Sequence, residues 1–130
     1  MAALLLDTTV LIDALRGRPA ASRLRRLRVA RDVLYVCAVN IEEVTRGIRP
    51  AEQSAVSRLF DGLRVAPLGR VEGERAGHWR RAHAARGITL TQTDCLVAAA
   101  ALGVSARLIT GNPTDFPMPE LSVEFWPPGD

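Results

Sequence analysis

Three consecutive leucines, Leu4-Leu5-Leu6, run straight into a carboxylate at Asp7. An unbroken apolar run of this length reads as a strand covered on both faces, the pattern of a parallel sheet. Two threonines follow, and a new apolar set at Val10, Leu11 and Leu15 continues with helical spacing. A strand that stops at Asp and turns at once into a helix puts that carboxylate at the carboxyl edge of a sheet. Open α/β folds bind their ligands there. The same pattern also suits a plain helix cap, because Asp and Thr are both favoured at that position. This stretch alone leaves the two readings open.

The remaining chain alternates in the same manner. Val33 to Val39 reads as a second strand, with Asn40 opening a helix through Ile41, Val44 and Ile48. A further helix carries Ala55, Val56, Leu59, Phe60 and Leu63, and Arg64 to Leu68 is a short strand whose Pro67 suits a sheet edge. Arg70 to Arg86 is a charged amphipathic helix stopped by Gly87, with His78 and His83 expected at the surface. Cys95 to Leu102 is apolar on every side and reads as a buried helix. Arg107 to Thr110 and Val123 to Trp126 are the last strands. The expected fold is an α/β/α sandwich over 1–130, one domain, with a mainly parallel central sheet of four to five strands.

At 130 residues the chain is long enough for one substantial core. No apolar run reaches the length of a membrane span. Cys37 and Cys95 form no disulfide framework or metal spacing, which suits a reducing cytoplasm. All 17 basic residues are arginine. The missing lysines exclude a P-loop, a Schiff base and a lysine general base. Seven arginines fall between Arg16 and Arg31 without one acid among them. Such a run is either a solvated face or a footprint for phosphates, with Arg23, Arg26 and Arg28 as candidate RNA contacts.

Four acids occupy equivalent places. Asp7 ends a strand, Glu43 lies in the first turn after the second strand, Asp94 opens the buried helix, and Asp115 follows the Leu108 strand by a short loop. Each has an ordinary structural explanation. Asn40-x-x-Glu43 fits a capping box, Thr91-x-x-Asp94 a looser one, and Asp115 a turn. In a parallel sheet, however, all four gather at one edge. Two carboxylates ~5 Å apart at an effective dielectric of ~20 repel by roughly 3 kcal/mol, about two pKa units. A cluster of them calls for a cation. Oxygen ligands without His or Cys suit Mg²⁺ or Mn²⁺, ions that activate water for phosphodiester hydrolysis.

The order of motifs is specific. A strand ending Asp7-Thr8-x-Val10-Leu11-Ile12 is followed by Glu43-Val44-x-x-Gly47, then Thr93-Asp94-x-x-Val97-Ala98, then Thr110-x-Asn112-x-x-Asp115-Phe116. This series resembles the PIN-domain family, and within it the VapC-type ribonuclease toxins, over nearly the whole chain. The resemblance implies a Mg²⁺- or Mn²⁺-dependent endoribonuclease, held in check by a small cognate antitoxin that blocks the acidic cleft. A helix of that antitoxin is expected in an apolar groove at Leu15, Leu24 and Leu27. The resemblance makes Asp7 and Asp94 the main metal ligands, with Glu43 and Asp115 completing the cluster through waters or a second metal. It also chooses Glu43 over Glu42, which helical angles leave open. Thr110 and Asn112 would orient Asp115 or the scissile phosphate, and Thr9 would bond a carboxylate or a metal-bound water. Gly47, one turn beyond Glu43, leaves room for a substrate backbone. A homodimer is expected. The family often has Asn where Thr9 stands, and Ser or Thr where Cys37 and Asn40 stand.

Two rival readings have residue-level tests. A haloacid-dehalogenase-like phosphatase also starts from a strand ending in Asp, but it needs a second Asp where Thr9 stands and usually a lysine. A catalytically inactive domain kept for binding RNA or a partner would be expected to lose acids, and all four are present.

Overall fold

A computed structural model of the chain describes residues 1–129. Its sheet is built from β1 (Ala3–Leu6), β2 (Val33–Val36), β3 (Arg64–Val65), β4 (Arg107–Thr110) and β5 (Val123–Phe125). The strands lie in the order β3-β2-β1-β4-β5, and every pairing is parallel. The central position of β1 explains its sequence. Leu4 and Leu6 point to one face and Leu5 to the other, and all three are fully enclosed. Shortening any of them to alanine would cost about 2–5 kcal/mol.

On the Leu5 face lie α5 (Arg70–Ala84) and α6 (Gln92–Gly103), with Trp79, Phe116, Met118 and Leu121 packed among them. The helix expected to be buried is α6. Cys95 and Val97 to Ala101 are all enclosed, and its alanines let it lie close against α5 and the sheet. On the Leu4/Leu6 face lie α1 (Thr8–Leu15), α2 (Pro19–Val29), α3 (Ala38–Gly47) and α4 (Gln53–Asp61). Helices on both faces of a parallel sheet give the expected α/β sandwich. Strand β3 stands on an edge, where Ala66 still donates to Val36 and Pro67 has no N–H to offer.

Three local expectations change. The helix after β2 starts at Ala38 rather than at Asn40, because the buried Asn40 side-chain Oδ1 accepts the Cys37 N–H at 3.0 Å and turns the chain earlier. His83 is buried, not exposed. Its Nδ1 lies 2.9 Å from the Trp79 carbonyl one turn back, and Trp79 itself donates to Glu120 at 2.7 Å. Leu24 belongs to the core, where it packs with Ala20 and Leu11, so only Leu15 and Leu27 of the expected apolar groove are partly open. Gly87, which ends the α5 region, has φ +77°, a conformation that needs glycine. Among the described residues no helix is long and apolar enough to cross a membrane.

Candidate active site

The carboxyl edge of the sheet is where the first strand stops. The Asp7 N–H still completes the ladder to Ile109, while the side chain turns into α1 as its N-cap and accepts the Thr8 N–H at 2.8 Å. Its other oxygen accepts the Thr110 hydroxyl, also at 2.8 Å, from the end of the neighbouring strand β4. Asp7 is therefore a helix cap and something more. Two hydrogen bonds occupy about half of a carboxylate's acceptor sites, and the remainder is free for a cation.

Glu43 is held by residues from two elements. The Thr8 hydroxyl donates to its Oε1 at 2.7 Å, and Asn40 Nδ2 donates to the Thr8 oxygen at 3.2 Å. The Asn40 oxygen meanwhile takes the Cys37 N–H. Asn40 thus takes the capping role at the start of α3 that the sequence suggested for Glu43, and Glu43 is released to face the sheet edge. Thr8 and Asn40 are the two site residues that sequence reasoning did not assign. The signal was present in the spacing: Thr8 directly follows Asp7, and Asn40 precedes Glu43 by one helical turn.

Asp94 stands in the first turn of α6, whose N-cap Thr91 accepts the Asp94 N–H at 3.2 Å. Asp115 lies on the exposed 3-10 turn Pro113–Asp115 that follows β4. That turn is shaped from behind. Asn112 donates its main-chain N–H to the Thr110 hydroxyl at 3.0 Å, and Gly111 donates its own to Thr9 at 3.1 Å. Thr110 is thus directed at Asp7, and Thr9 at the start of the loop. A side chain at position 111 would collide with the Pro128 ring at 2.8 Å and crowd Thr9 at 3.2 Å.

The electrostatics join the acids. Burial holds the Asp7 carboxyl above its ordinary value of 3.8; the bonds from Thr110 and Thr8 act against this, and the charges of Asp94 and Glu43 add to it. Asp94 is likewise raised, first by burial, with Asp115 and Glu43 adding repulsion against the Thr91 bond. The four acids feel one another in a chain. No arginine relieves them: the ion pairs among the described residues are Arg18–Asp13, Arg49–Glu52, Arg70–Glu74 and Arg107–Glu124.

No three His, Cys, Asp or Glu side chains among the described residues already stand at ligand spacing. The test of fit is therefore the donor chemistry: carboxylates without His or Cys are ligands for a hard cation that retains waters and takes one or two carboxylates directly. The all-oxygen donor set, partly desolvated and uncompensated, fits Mg²⁺ or Mn²⁺.

Comparison with known proteins agrees with the geometry. The PIN domain family model matches residues 4–117, from the first leucine of β1 to just beyond Asp115. The chain belongs to the PIN-domain family. Among its PIN-domain relatives, Ribonuclease VapC19 of Mycobacterium tuberculosis is 34% identical over 93% of this chain and 98% of its own. Ribonuclease VapC10 of the same organism is 36% identical over 97% and 96%. The fold superimposes on VapBC2 from Rickettsia felis bound to a promoter DNA fragment, with a TM-score of 0.84 at 20% identity, covering 95% of this chain and 98% of that one. It also superimposes on DNA-bound VapBC from Salmonella typhimurium, with a TM-score of 0.82 at 20% identity and coverage of 97% and 99%. At such identities these two structures speak for the PIN-domain fold alone.

Proposed function

We propose that this PIN-domain chain is a divalent-metal-dependent endoribonuclease and the toxin of a toxin–antitoxin pair. The observation that carries the reading is the uncompensated cluster of Asp7, Glu43, Asp94 and Asp115 at the carboxyl edge of the sheet, with two of its acids pushed upward by burial and mutual repulsion. Support for RNA as substrate comes from the relatives named ribonucleases, which align along almost the full chain.

Asp7 and Asp94 would hold Mg²⁺ or Mn²⁺, with Glu43 and Asp115 completing the set through waters or a second ion. Held there, such a cation would supply Lewis acidity toward the phosphate oxygens and a water nucleophile. The protein's own groups position and hold. Thr110 fixes one oxygen of Asp7, Thr8 fixes one of Glu43, and Thr9 anchors the loop that presents Asp115. Neither histidine belongs to this edge: His83 bonds the Trp79 carbonyl and His78 lies beside Arg81. With lysine absent from the chain, neither a histidine nor a lysine stands there as a general base.

The antitoxin is proposed as a small protein that inserts an arginine among the acids and competes with the cation. A planar guanidinium pairs carboxylates bidentately and keeps its charge. Structures of the same fold include a toxin–antitoxin complex from Klebsiella pneumoniae, which supports a protein partner; the arginine rests on the chemistry of the acids alone. A homodimer and a cytoplasmic location complete the proposal.

The deciding experiment is cleavage of a defined single-stranded RNA by the purified protein, with Mg²⁺ or Mn²⁺ and with chelator. Cleavage that needs the cation and disappears in Asp7→Asn and Asp94→Asn supports the reading. Cation-independent cleavage, or equal cleavage by the variants, overturns it.

A further inference from the structure

The arginine-rich helix α2 does not present its charges uniformly. Arg25 donates to Ser22 at 3.1 Å. Arg28 lies over Gly62, so close that a Cβ there would stand 2.7 Å from its terminal nitrogen. Arg23 behaves differently. Its guanidinium carbon lies 5.3 Å from the centre of the Trp126 ring, a cation–π distance, and no carboxylate among the described residues pairs with it. Arg26 is exposed and has no ion-pair partner among those residues either.

Arg23 and Arg26, with Leu27, form one wall of a groove of about 390 Å³, and Glu124, Trp126 and Pro127 form the other. The one acid in the groove is already occupied. Glu124 accepts the Trp126 indole N–H at 2.6 Å and lies 3.0 Å from Arg107. The groove therefore offers two guanidinium groups without an ion-pair partner among the described residues, one of them lying over an indole ring.

Its position relates it to the acids. The Trp126 N–H donates to the Thr110 carbonyl at 2.9 Å, and the Thr110 hydroxyl holds Asp7. One residue of strand β4 thus touches both the acidic cluster and the wall of the groove. A polyanion at this edge meets the four acids, and positive charge on a flank adds attraction that the acids themselves do not supply.

We propose that this groove holds a backbone phosphate of the RNA strand flanking the linkage cleaved at the acids, with Arg23 and Arg26 as its ligands and Arg28 outside it. The assignment rests on the ribonuclease reading and adds to it where the strand runs. It makes the groove a determinant of affinity for long strands, not of the chemical step.

The test compares Arg23→Gln, Arg26→Gln and their combination with Arg28→Gln, using a single-stranded RNA of a dozen nucleotides and a dinucleotide. For the long RNA the double variant should raise KM roughly tenfold with kcat retained, and should lower the slope of log affinity against log salt by about 0.7 for each lost phosphate contact. The dinucleotide, whose single phosphodiester is the linkage cleaved and which has no flanking phosphate, should be cut as by the parent protein, as should both substrates by Arg28→Gln. Circular dichroism and thermal melting confirm that the variants remain folded. Unchanged KM in the double variant, the outcome if the groove receives a protein partner instead, overturns the proposal. Equal losses in Arg28→Gln also overturn it, since they would mean diffuse charge. Both results leave the ribonuclease reading standing, whereas failure of the parent protein to cut either RNA with Mg²⁺ or Mn²⁺ removes that reading and the groove with it.

Discussion

The Thr8 hydroxyl donates to the Glu43 carboxylate at 2.7 Å, across 35 residues of sequence and between the first turn of α1 and the middle of α3. Asn40 supports the contact from behind while capping its own helix. A hydrogen bond to a charged group contributes about 1.5–3 kcal/mol. Thr8→Val should therefore reduce kcat by about tenfold or more with little change in KM, and Thr8→Ser should restore it. Asn40→Ala should combine a similar kinetic loss with about 1 kcal/mol of lost stability from the cap. Steady-state kinetics beside thermal melting separate the two effects; wild-type kcat in Thr8→Val would show that Glu43 needs no such support.

Asp7→Asn and Asp94→Asn should each lower metal-dependent cleavage by at least about 100-fold. They should also raise the melting temperature of the metal-free protein, because each removes a charge from a cluster that repels itself. A melting temperature that falls sharply in both would return these residues to the role of helix caps.

The pH dependence of the metal-free protein has a definite sign. Asp7 and Asp94 have carboxyls raised above 3.8 in the folded state, so the folded protein binds more protons than the unfolded chain in the interval above 3.8. Their destabilising contribution is complete at neutral pH. It is relieved as pH falls through their raised values. The stability advantage of Asp7→Asn over the parent should accordingly be largest near neutrality and shrink on acidification. Saturating Mg²⁺ should reverse the trend for the parent, since a cation binds the ionised acids and stabilises the folded state most where they are charged. Chemical denaturation across pH, with and without Mg²⁺, measures both slopes.

Two glycines near the site should respond oppositely to alanine. Gly111→Ala forces a Cβ against Pro128 and Thr9 and should cost about 1–3 kcal/mol, read in denaturant melts. Gly47 ends α3, and a Cβ added there would meet nothing within 4 Å. Gly47→Ala should leave stability unchanged or raise it by about 0.4–1 kcal/mol. If RNA passes beside Glu43, KM should nevertheless rise; an unchanged KM would place the strand elsewhere.

Inhibition by the cognate antitoxin should weaken as Mg²⁺ or Mn²⁺ is raised. An antitoxin whose inserted arginine is changed to alanine should still bind but inhibit poorly. Indifference to both would mean that the partner excludes RNA from outside the cleft.

The elements that the sequence made legible are those whose surroundings are simple. Leu4 to Leu6 is a strand covered on both faces, and such a strand announces itself as a continuous apolar run. The alanine-rich α6 is enclosed for the same reason. Position along the chain placed the acids at strand ends and helix starts, and parallel pairing brought those ends to one edge. What could not be read depends on partners far away in sequence. His83 resembles any polar residue of a charged helix until Trp79 and the segment through Glu120 close over it. Asn40 and Glu43 satisfy the same capping pattern, and only the bond from Thr8 decides which of them caps and which faces the edge. Nothing local marks Asp13, yet it is buried and accepts from both Arg18 and the Gly129 N–H, tying α1 to the chain's last described residues.

Strand β4 docks between β1 and β5, although more than 100 residues separate its start from the beginning of the chain. Until it does, Asp7 lacks the Thr110 hydroxyl and the Asp115 turn has no anchor. During synthesis, at roughly 5–20 residues per second, several seconds pass between the appearance of the first acid and that of the last. Over that interval the acidic set is incomplete whatever the early helices have done. It is complete only when Thr110 and the Asp115 turn stand beside Asp7 at the edge shared by β1 and β4.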